Sequence, residues 1–540
     1  ARQGRVALLV GPRVRYALGV NDAACESTTT ASAPPAATPA AGLLAWIDAK
    51  RWWFFGAVAL LHLASFSGVW RVGPDSAVYR GAARNAAAGL GLVFNEQPYT
   101  HGFAGFPLLL SWMQRAFGDA AWPGVAVVHL MGLLAITCTF VMLRRHCGRP
   151  IAVLVTFAFA ANSTLVRHCG ELLADVPFLL GCAMTLLGYE LTYGRDTAQK
   201  PRWAIAAALM AVGTILMSSM RIVALVPLVA IALDALWRTR HTRAKWAALG
   251  VIAAVASIMA VVRLLDPRMS GGFHLLPKER ELLELVTDIG PRTQRILDFT
   301  GAELLLRVTP SAMFGNRVGL WPVDLLISIV VIVTGVLLLR RRVAWGALAA
   351  LSFVQWLLFF PDGRYFLPLL PLLVLAWWDM AVALAARLRE ARARWLLVAT
   401  VALLCVPNAL RDIGIAIEQH RTPFLDRYQG GRFRAMPELM AQAKRELPAN
   451  SVLVADEFIA SPLHYWSGLR TVTRRFGETL QPIPDGRPAF LVLPTNAAID
   501  ADLLARGLVR GETVLEIPRG DLAPAAIVRL IPATPANGNR

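Results

Sequence analysis

WPGVAVVHLMGLLAITCTFVMLRRHCGR, residues 122–149, is the stretch that decides the fold. From Trp122 to Leu143 it carries no acid and no Lys or Arg. A run of about 20 apolar residues spans the hydrocarbon core of a bilayer, and the backbone there must be helical. A Trp at one end and an Arg pair at the other are the usual marks of the two membrane interfaces. The rest of the chain shares this character. Hydrophobic residues make up 56% of the 540 and charged residues 17%, with a mean hydropathy of +0.51. Soluble domains carry about 25% charged residues.

Working outward, the pattern predicts an α-helical polytopic membrane protein with about eleven transmembrane helices. Before the decisive stretch lies Trp52–Trp70. After it come Ile151–Val166, Leu172–Tyr193, Trp203–Ser218, Ile222–Trp237 and Trp246–Val262. The last four are Trp321–Leu339, Val343–Phe360, Tyr365–Ala386 and Trp395–Leu410. The net charge of +18 is carried mainly by alternate short loops, through Arg144, Arg145 and Arg149, then Arg195 to Arg202, Arg238 to Lys245, Arg340–Arg342 and Arg387 to Arg394. With eleven spans all of these share one side with Lys50 and Arg51, and that side is cytoplasmic by the positive-inside rule. The expectation is a multi-pass protein of the plasma (inner) membrane, N-terminus cytoplasmic, C-terminal domain extracytoplasmic. No nucleic-acid partner is expected, because the cations are not gathered on a soluble face. The six cysteines show no metal-ligand spacing.

The chain divides into a disordered tail at 1–42, a transmembrane domain at 43–410 and an extracytoplasmic α/β domain at 411–540. The tail is rich in Thr, Ala and Pro from Thr28 to Ala41. A cleaved signal peptide is its competing reading, weakened by Pro12 and the arginines that interrupt the apolar patches. In the C-terminal domain Pro437–Leu447 and Asp500–Ala505 read as helices. Ser451–Asp456, Ala489–Leu493, Thr513–Ile517 and Ile527–Leu530 read as strands. No Gly-rich phosphate loop follows its strands. In the long loop Arg263–Leu320, Lys278–Arg307 has the apolar spacing of a helix lying on the membrane or over a cavity, with an ordinary packed loop helix as the alternative.

The loop GPDSAVYRGAARNAAAGLGLVFNEQPYTHGFAGFPLLLSWMQRAFG, residues 73–118, holds the densest chemistry. Asp75 and Tyr79 share a helix face. An acid at the membrane boundary suits a general base acting on an acceptor while the donor stays in lipid. The competing reading is a helix cap, since Pro74-Asp75-Ser76 is good cap chemistry. Glu96, Tyr99 and His101 lie in a Gly-rich return. Glu171 and Asp175, at i and i+4, stand at the start of a span, where acids are costly and usually functional. They are read as ion-pair partners of Arg167 or Arg221, as site residues, or as ligands of a divalent cation. His62 and His129, inside spans, read as packed residues.

This loop resembles the first outer loop of the GT-C glycosyltransferases, which include protein O-mannosyltransferases and the bacterial aminoarabinose transferase of lipid A. Asp75, Tyr79, the small residues Ala82–Gly89, Pro107-Leu108 and Phe117-Gly118 follow that pattern in order. So do Glu171, Asp175 and Pro177, then Arg221 and Pro227, then Arg364, Tyr365, Pro368 and Pro371. The chain departs in having one acid at Asp75 rather than an Asp-Glu pair, and Phe-Pro-Leu rather than Pro-Pro-Leu. These departures bear on the acceptor. The resemblance implies an inverting enzyme that takes a sugar from a polyprenyl-phosphate-linked donor and passes it to a lipid, glycan or protein acceptor. Asp75 is then the base. Tyr79 and His101 shape the site, and Arg364, Tyr365, Arg221 and Arg167 face the donor phosphate. No metal-binding or other cofactor residue is assigned. A transporter or flippase should show internal repeats of spans, and none is evident. A glycan polymerase or ligase of related architecture is the nearer rival.

Overall fold

The computed structural model describes residues 39–99, 103–192, 203–237, 301–314, 319–358, 362–421, 435–474, 479–493, 497–519 and 522–533, with single positions among 246–257. His101, the Lys278–Thr300 part of the amphipathic stretch and most of the span read at Trp246–Val262 lie outside them. Among the described residues, Trp122–Cys147, Trp203–Met220, Trp321–Arg340 and Glu390–His420 are long and apolar enough to cross a membrane. Arg149–Ala160 and Ser163–Cys169 make a fifth such unit if counted as one broken span, and Leu225–Trp237, Val343–Leu357 and Leu370–Ala385 are shorter apolar helices. The chain is a helical membrane protein with a small C-terminal sheet.

Local chemistry explains the helix starts. Pro123, Pro150, Pro322 and Pro371 stand in first turns, where a missing N–H costs nothing. Two readings are corrected. The run Ile151–Val166 is not straight but bends by 60° after Ala160. Asn162 makes the break by capping the next helix, its side chain accepting from the Thr164 N–H at 3.0 Å while its amide donates to the Ala312 carbonyl at 2.8 Å. The first span, read as Trp52–Trp70, is helical only over Arg51–Ser65. Beyond it the chain is tied down by Arg71, which pairs with Glu418 at 2.6 Å.

Helices Asp175–Thr192 and Trp203–Met220 pack closest. A Cβ on Gly181 would lie 2.6 Å from the Met217 nitrogen, and one on Gly213 would lie 2.7 Å from the Gly181 carbonyl oxygen. Small residues at such crossings let backbones meet where no hydrophobic force separates helix from lipid. At one end of the bundle Arg149 pairs with Asp48, Arg341 with Asp379, and His146 with Glu190. Arg342 joins them at 3.5 Å from Glu190, so three arginines of the basic loops or their edges gather at one end.

The C-terminal sheet joins strands β3 (Val452–Asp456), β4 (Arg470–Arg474), β5 (Ala489–Leu493), β6 (Leu508–Arg519) and β7 (Leu522–Pro532). Its order is β4-β3-β5-β7-β6, parallel at β4-β3-β5 and antiparallel beyond. Helices Met436–Glu446 and Glu457–Ser467 cover one face, and Ala497–Ala505 the other. The edge strand β4 receives a hairpin from the segment between helices Pro74–Ala87 and Gly105–Phe117, made of β1 (Val93–Phe94) and β2 (Gln97–Pro98). Its turn residues Asn95 and Glu96 have φ of 55° and 62°, the backbone of a tight hairpin turn. Asn95 exchanges two hydrogen bonds with the Thr471 backbone, at 2.8 and 2.7 Å. Its N–H donates to His464 Nε2 at 2.9 Å, and His464 Nδ1 donates to the Leu469 carbonyl at 2.7 Å. Glu96 meets Arg487 at 2.9 Å and Arg470 at 3.5 Å.

Burial pushes the His464 pKa down, against the Leu469 hydrogen bond and Glu96, which raise it, and with Arg84, which lowers it. Nε2 can accept from Asn95 only while the ring is neutral. The contribution is therefore present above the ordinary histidine value of 6.5 and is lost as pH falls below it. Melting of the detergent-solubilised protein should drop more between about pH 7.5 and about pH 5 for wild type than for His464→Gln. Equal drops would show that this hydrogen bond does not hold the hairpin.

Candidate functional site

Helix Pro74–Ala87 is opened by Gly73, and its cap hydrogen bonds run through Ser76: Gly73 N donates to Ser76 Oγ at 2.9 Å and Oγ donates back to the Gly73 carbonyl at 3.0 Å. The expected alternative role of Asp75 as the cap is thereby corrected. Its carboxylate points instead to Arg364, 289 positions along the chain, and accepts from Nη1 at 2.9 Å. Arg364 stands on the short turn Gly363–Phe366, and two further acids approach it: Asp362 at 3.2 Å and Asp175 at 3.9 Å. Asp175, 3% exposed, also pairs with Arg221 at 2.6 Å. The Tyr365 ring lies under both guanidiniums, at 5.2 Å from Arg221 and 5.4 Å from Arg364. Tyr79 is buried one turn after Asp75, edge-on to Phe106 at 5.3 Å. Burial pushes its phenol up, so it stays an O–H donor at neutral pH.

Six of the residues singled out in the sequence thus meet at one place: Asp75, Tyr79, Asp175, Arg221, Arg364 and Tyr365. Glu171 and Arg167 stand apart. Glu171 pairs with His168 at 2.6 Å, not with Arg167 or Arg221. Arg167, 7% exposed, has an Nε without a hydrogen-bond partner among the described residues. It lines a cavity of about 220 Å³ with His168, Arg307, Asp362, Arg364 and Arg411. On the other side of Arg364 a narrow cleft runs from Asp175, Arg221 and Tyr365 to Phe178, Val226, Leu348 and Trp356. Arg364 is the residue common to both.

Asp362 escaped the sequence reading. Its carboxylate caps the turn by accepting from Arg364 N at 3.1 Å and also holds the Arg364 guanidinium. The signal was present, since Asp before Gly at a helix start is a cap pattern, but it reads the same in any surface turn.

ArnT from Cupriavidus metallidurans bound to undecaprenyl phosphate matches this structure with a TM-score of 0.51 and 15% identity, over 89% of this chain and 98% of that one. The fold is the GT-C fold. The apo state of the same protein gives a TM-score of 0.47 at 15% identity over the same shares of the two chains. The oligosaccharyltransferase AglB from Archaeoglobus fulgidus, in complex with an inhibitory peptide and a dolichol-phosphate, gives 0.45 at 13% identity, over 78% of this chain and 64% of that one. No protein-family model matches the chain, and no curated protein matches it.

The Asp175–Arg221 pair is a structural test of the site. Removing one partner of a buried pair strands the other charge, which costs roughly 3–5 kcal/mol. Asp175→Ala should unfold earlier than wild type by that amount, whereas Asp75→Asn, at a side chain 28% exposed, should hardly change stability. Chemical unfolding of both variants in one detergent gives the comparison. An Asp175→Ala protein of wild-type stability would mean that Arg221 is compensated elsewhere.

Proposed function

We propose that this chain is an inverting glycosyltransferase that moves a sugar from a polyprenyl-phosphate-linked donor to an acceptor at the outer face of the plasma membrane. The observation that carries the reading is the Asp75–Arg364 pair beside Asp175 and Arg221, at the mouth of a cleft that turns apolar between helices. The apolar walls suit an isoprenoid tail. The guanidiniums suit the phosphate, which they can grip through paired N–H groups. The GT-C fold supports the same class of activity by analogy.

Asp75 then takes the proton of the acceptor hydroxyl. The acceptor oxygen forms a bond to the sugar's anomeric carbon as the bond from that carbon to the phosphate oxygen breaks. Arg364 and Arg221 hold the phosphate as its charge grows, which is where cations lower a barrier most. Three carboxylates surround the two guanidiniums at rest, so an arriving phosphate must displace one of them. Asp75, the most exposed of the two that contact Arg364 from other elements, is the one displaced. The donor thereby frees the base that its own reaction requires.

Asp75→Asn separates this from a purely structural role. Asn keeps the shape and cannot take a proton or repel phosphate. Transfer should fall by about 100-fold or more, while binding of polyprenyl phosphate alone should tighten. Cells carrying the variant should accumulate the unspent lipid-linked sugar, visible by mass spectrometry of envelope lipids, which also identifies the sugar. An Asn variant that transfers normally removes Asp75 from the chemistry.

The orientation rests on the alternation of basic loops. A reporter that fluoresces only in the cytoplasm, fused to the C-terminus, should stay dark, and a bright fusion would put Asp75 and the sheet domain on the cytoplasmic side.

A further inference from the structure

The helix that carries Asp75 has two faces. Asp75 and Tyr79 look into the site, while Arg80 and Arg84 look away from it, toward the C-terminal domain. There both meet Tyr465, on the helix Glu457–Ser467, and Asp119 of their own loop, which pairs with Arg84 at 2.6 Å and Arg80 at 3.4 Å. Arg84 Nη2 donates to the Tyr465 hydroxyl at 2.6 Å, and its guanidinium lies 4.1 Å from the centre of the ring. Burial pushes the Tyr465 phenol up to about 12, so the hydroxyl keeps its proton and turns it toward Asp119 at 3.4 Å.

A second arm starts from the same ring. Tyr465 stands edge-on to Trp70 at 4.7 Å, and the Arg80 guanidinium covers both rings, at 4.5 Å from Trp70 and 5.5 Å from Tyr465. The Trp70 indole N–H donates to Ser76 Oγ at 3.1 Å. That hydroxyl already gives its one proton to the Gly73 carbonyl and accepts from the Gly73 N–H. Ser76 Oγ therefore has its donor and both lone pairs engaged, and its position is over-determined. It fixes the turn Gly73–Ser76, in which Pro74 and Asp75 are the two residues between.

We propose that Tyr465 is a positioning residue for Asp75, holding the base in place through Trp70 and Ser76 at one end of its helix and through Arg84 at the other. The soluble domain is then part of the catalytic apparatus without touching substrate. Arg221 and Tyr365 lie on other elements and do not touch this chain of contacts; Arg364 meets it only through Asp75 and keeps Asp175 and Asp362 as partners. The inference rests on Asp75 being the base, and its test includes a measurement that does not.

Two variants carry the test. Tyr465→Phe keeps the ring on Trp70 and under both arginines. Tyr465→Leu keeps apolar bulk and loses the ring. In transfer assays the Leu variant should lose about 10-fold or more in kcat, because a misplaced reacting group costs rate far more than binding. KM for the donor should not rise, since Asp75 competes with the donor phosphate for Arg364. The Phe variant should lose no more than about 3-fold, the loss of one hydrogen bond to a charged group being partly offset by the retained cation–π contact. Hydrogen exchange supplies the activity-independent readout: amides of residues 76–80 should exchange faster in the Leu variant and at nearly the wild-type rate in the Phe variant. A Leu variant with wild-type protection at those amides overturns the proposal, as does one whose KM rises while kcat holds. Should Leu fail to fold, Trp70→Phe, which retains the ring and deletes the indole donor, makes the same prediction for kcat and exchange, and unchanged values there overturn the proposal too. Faster exchange in a protein that transfers no sugar at all would leave the positioning intact and sink the glycosyltransferase reading instead.

Discussion

A guanidinium cannot be taken out of water without compensation, and Arg364 is the one whose compensation closes this structure. Its acids come from three places in the chain: Asp75 on the loop helix, Asp175 at the start of helix Asp175–Thr192, and Asp362 on its own turn. Uncompensated, the charge would cost several kcal/mol. Satisfying it draws those three elements to a point, and Arg221 is drawn in with them through Asp175. The two cavities that flank Arg364 follow from the same convergence, since the turn that carries it separates a polar space from an apolar cleft.

The opposite end of the bundle obeys the same rule. Helix Asp175–Thr192 carries an acid near each end, and Glu190 is met by His146 at 2.8 Å and Arg342 at 3.5 Å. Its 18 residues rise roughly 27 Å. Charge is thus held at the two ends of this helix, and between them it meets helix Trp203–Met220 through Gly181, Gly188 and Gly213. Ion pairs at both ends and glycine contacts in the middle fix the register, so Asp175 has little freedom to slide away from Arg221.

The parts of this arrangement visible in the sequence were those in which one residue stands out against its surroundings. Asp75, Asp175, Arg221 and Arg364 are charges beside apolar runs, and the cost of placing them there marks them. The apolar helices were legible for the same reason. What could not be read depends on a partner far away in the chain. Strand β4, RTVTR, has no apolar run and exists because β3 pairs with it. Helix Glu457–Ser467 follows β3 directly and contains Pro462, which disguises it. The bend at Asn162 looks like any polar residue in an apolar run until the Ala312 carbonyl is brought to it. Nothing near Arg80 or Arg84 announces that both arginines rest on Tyr465, some 380 positions on.

A loop helix of 14 residues is marginal by itself, because isolated helices shorter than about 12–15 residues barely hold in water. Its composition makes matters worse: Gly81 and the alanines that follow offer little area for burial. Nine of its residues are nonetheless buried, which requires cover on both faces. Phe106 and its helix cover the side of Tyr79. The other side is covered by a domain that begins more than 320 residues later. The bilayer cannot supply this second cover, because lipid would leave Arg80 and Arg84 without partners. A protein surface with an aromatic ring and carbonyl or carboxylate oxygens can, and Tyr465 with Asp119 provides it. The helix that carries Asp75 is thus held between Phe106 on one face and, on the other, Tyr465 of the sheet domain together with Asp119 of its own loop.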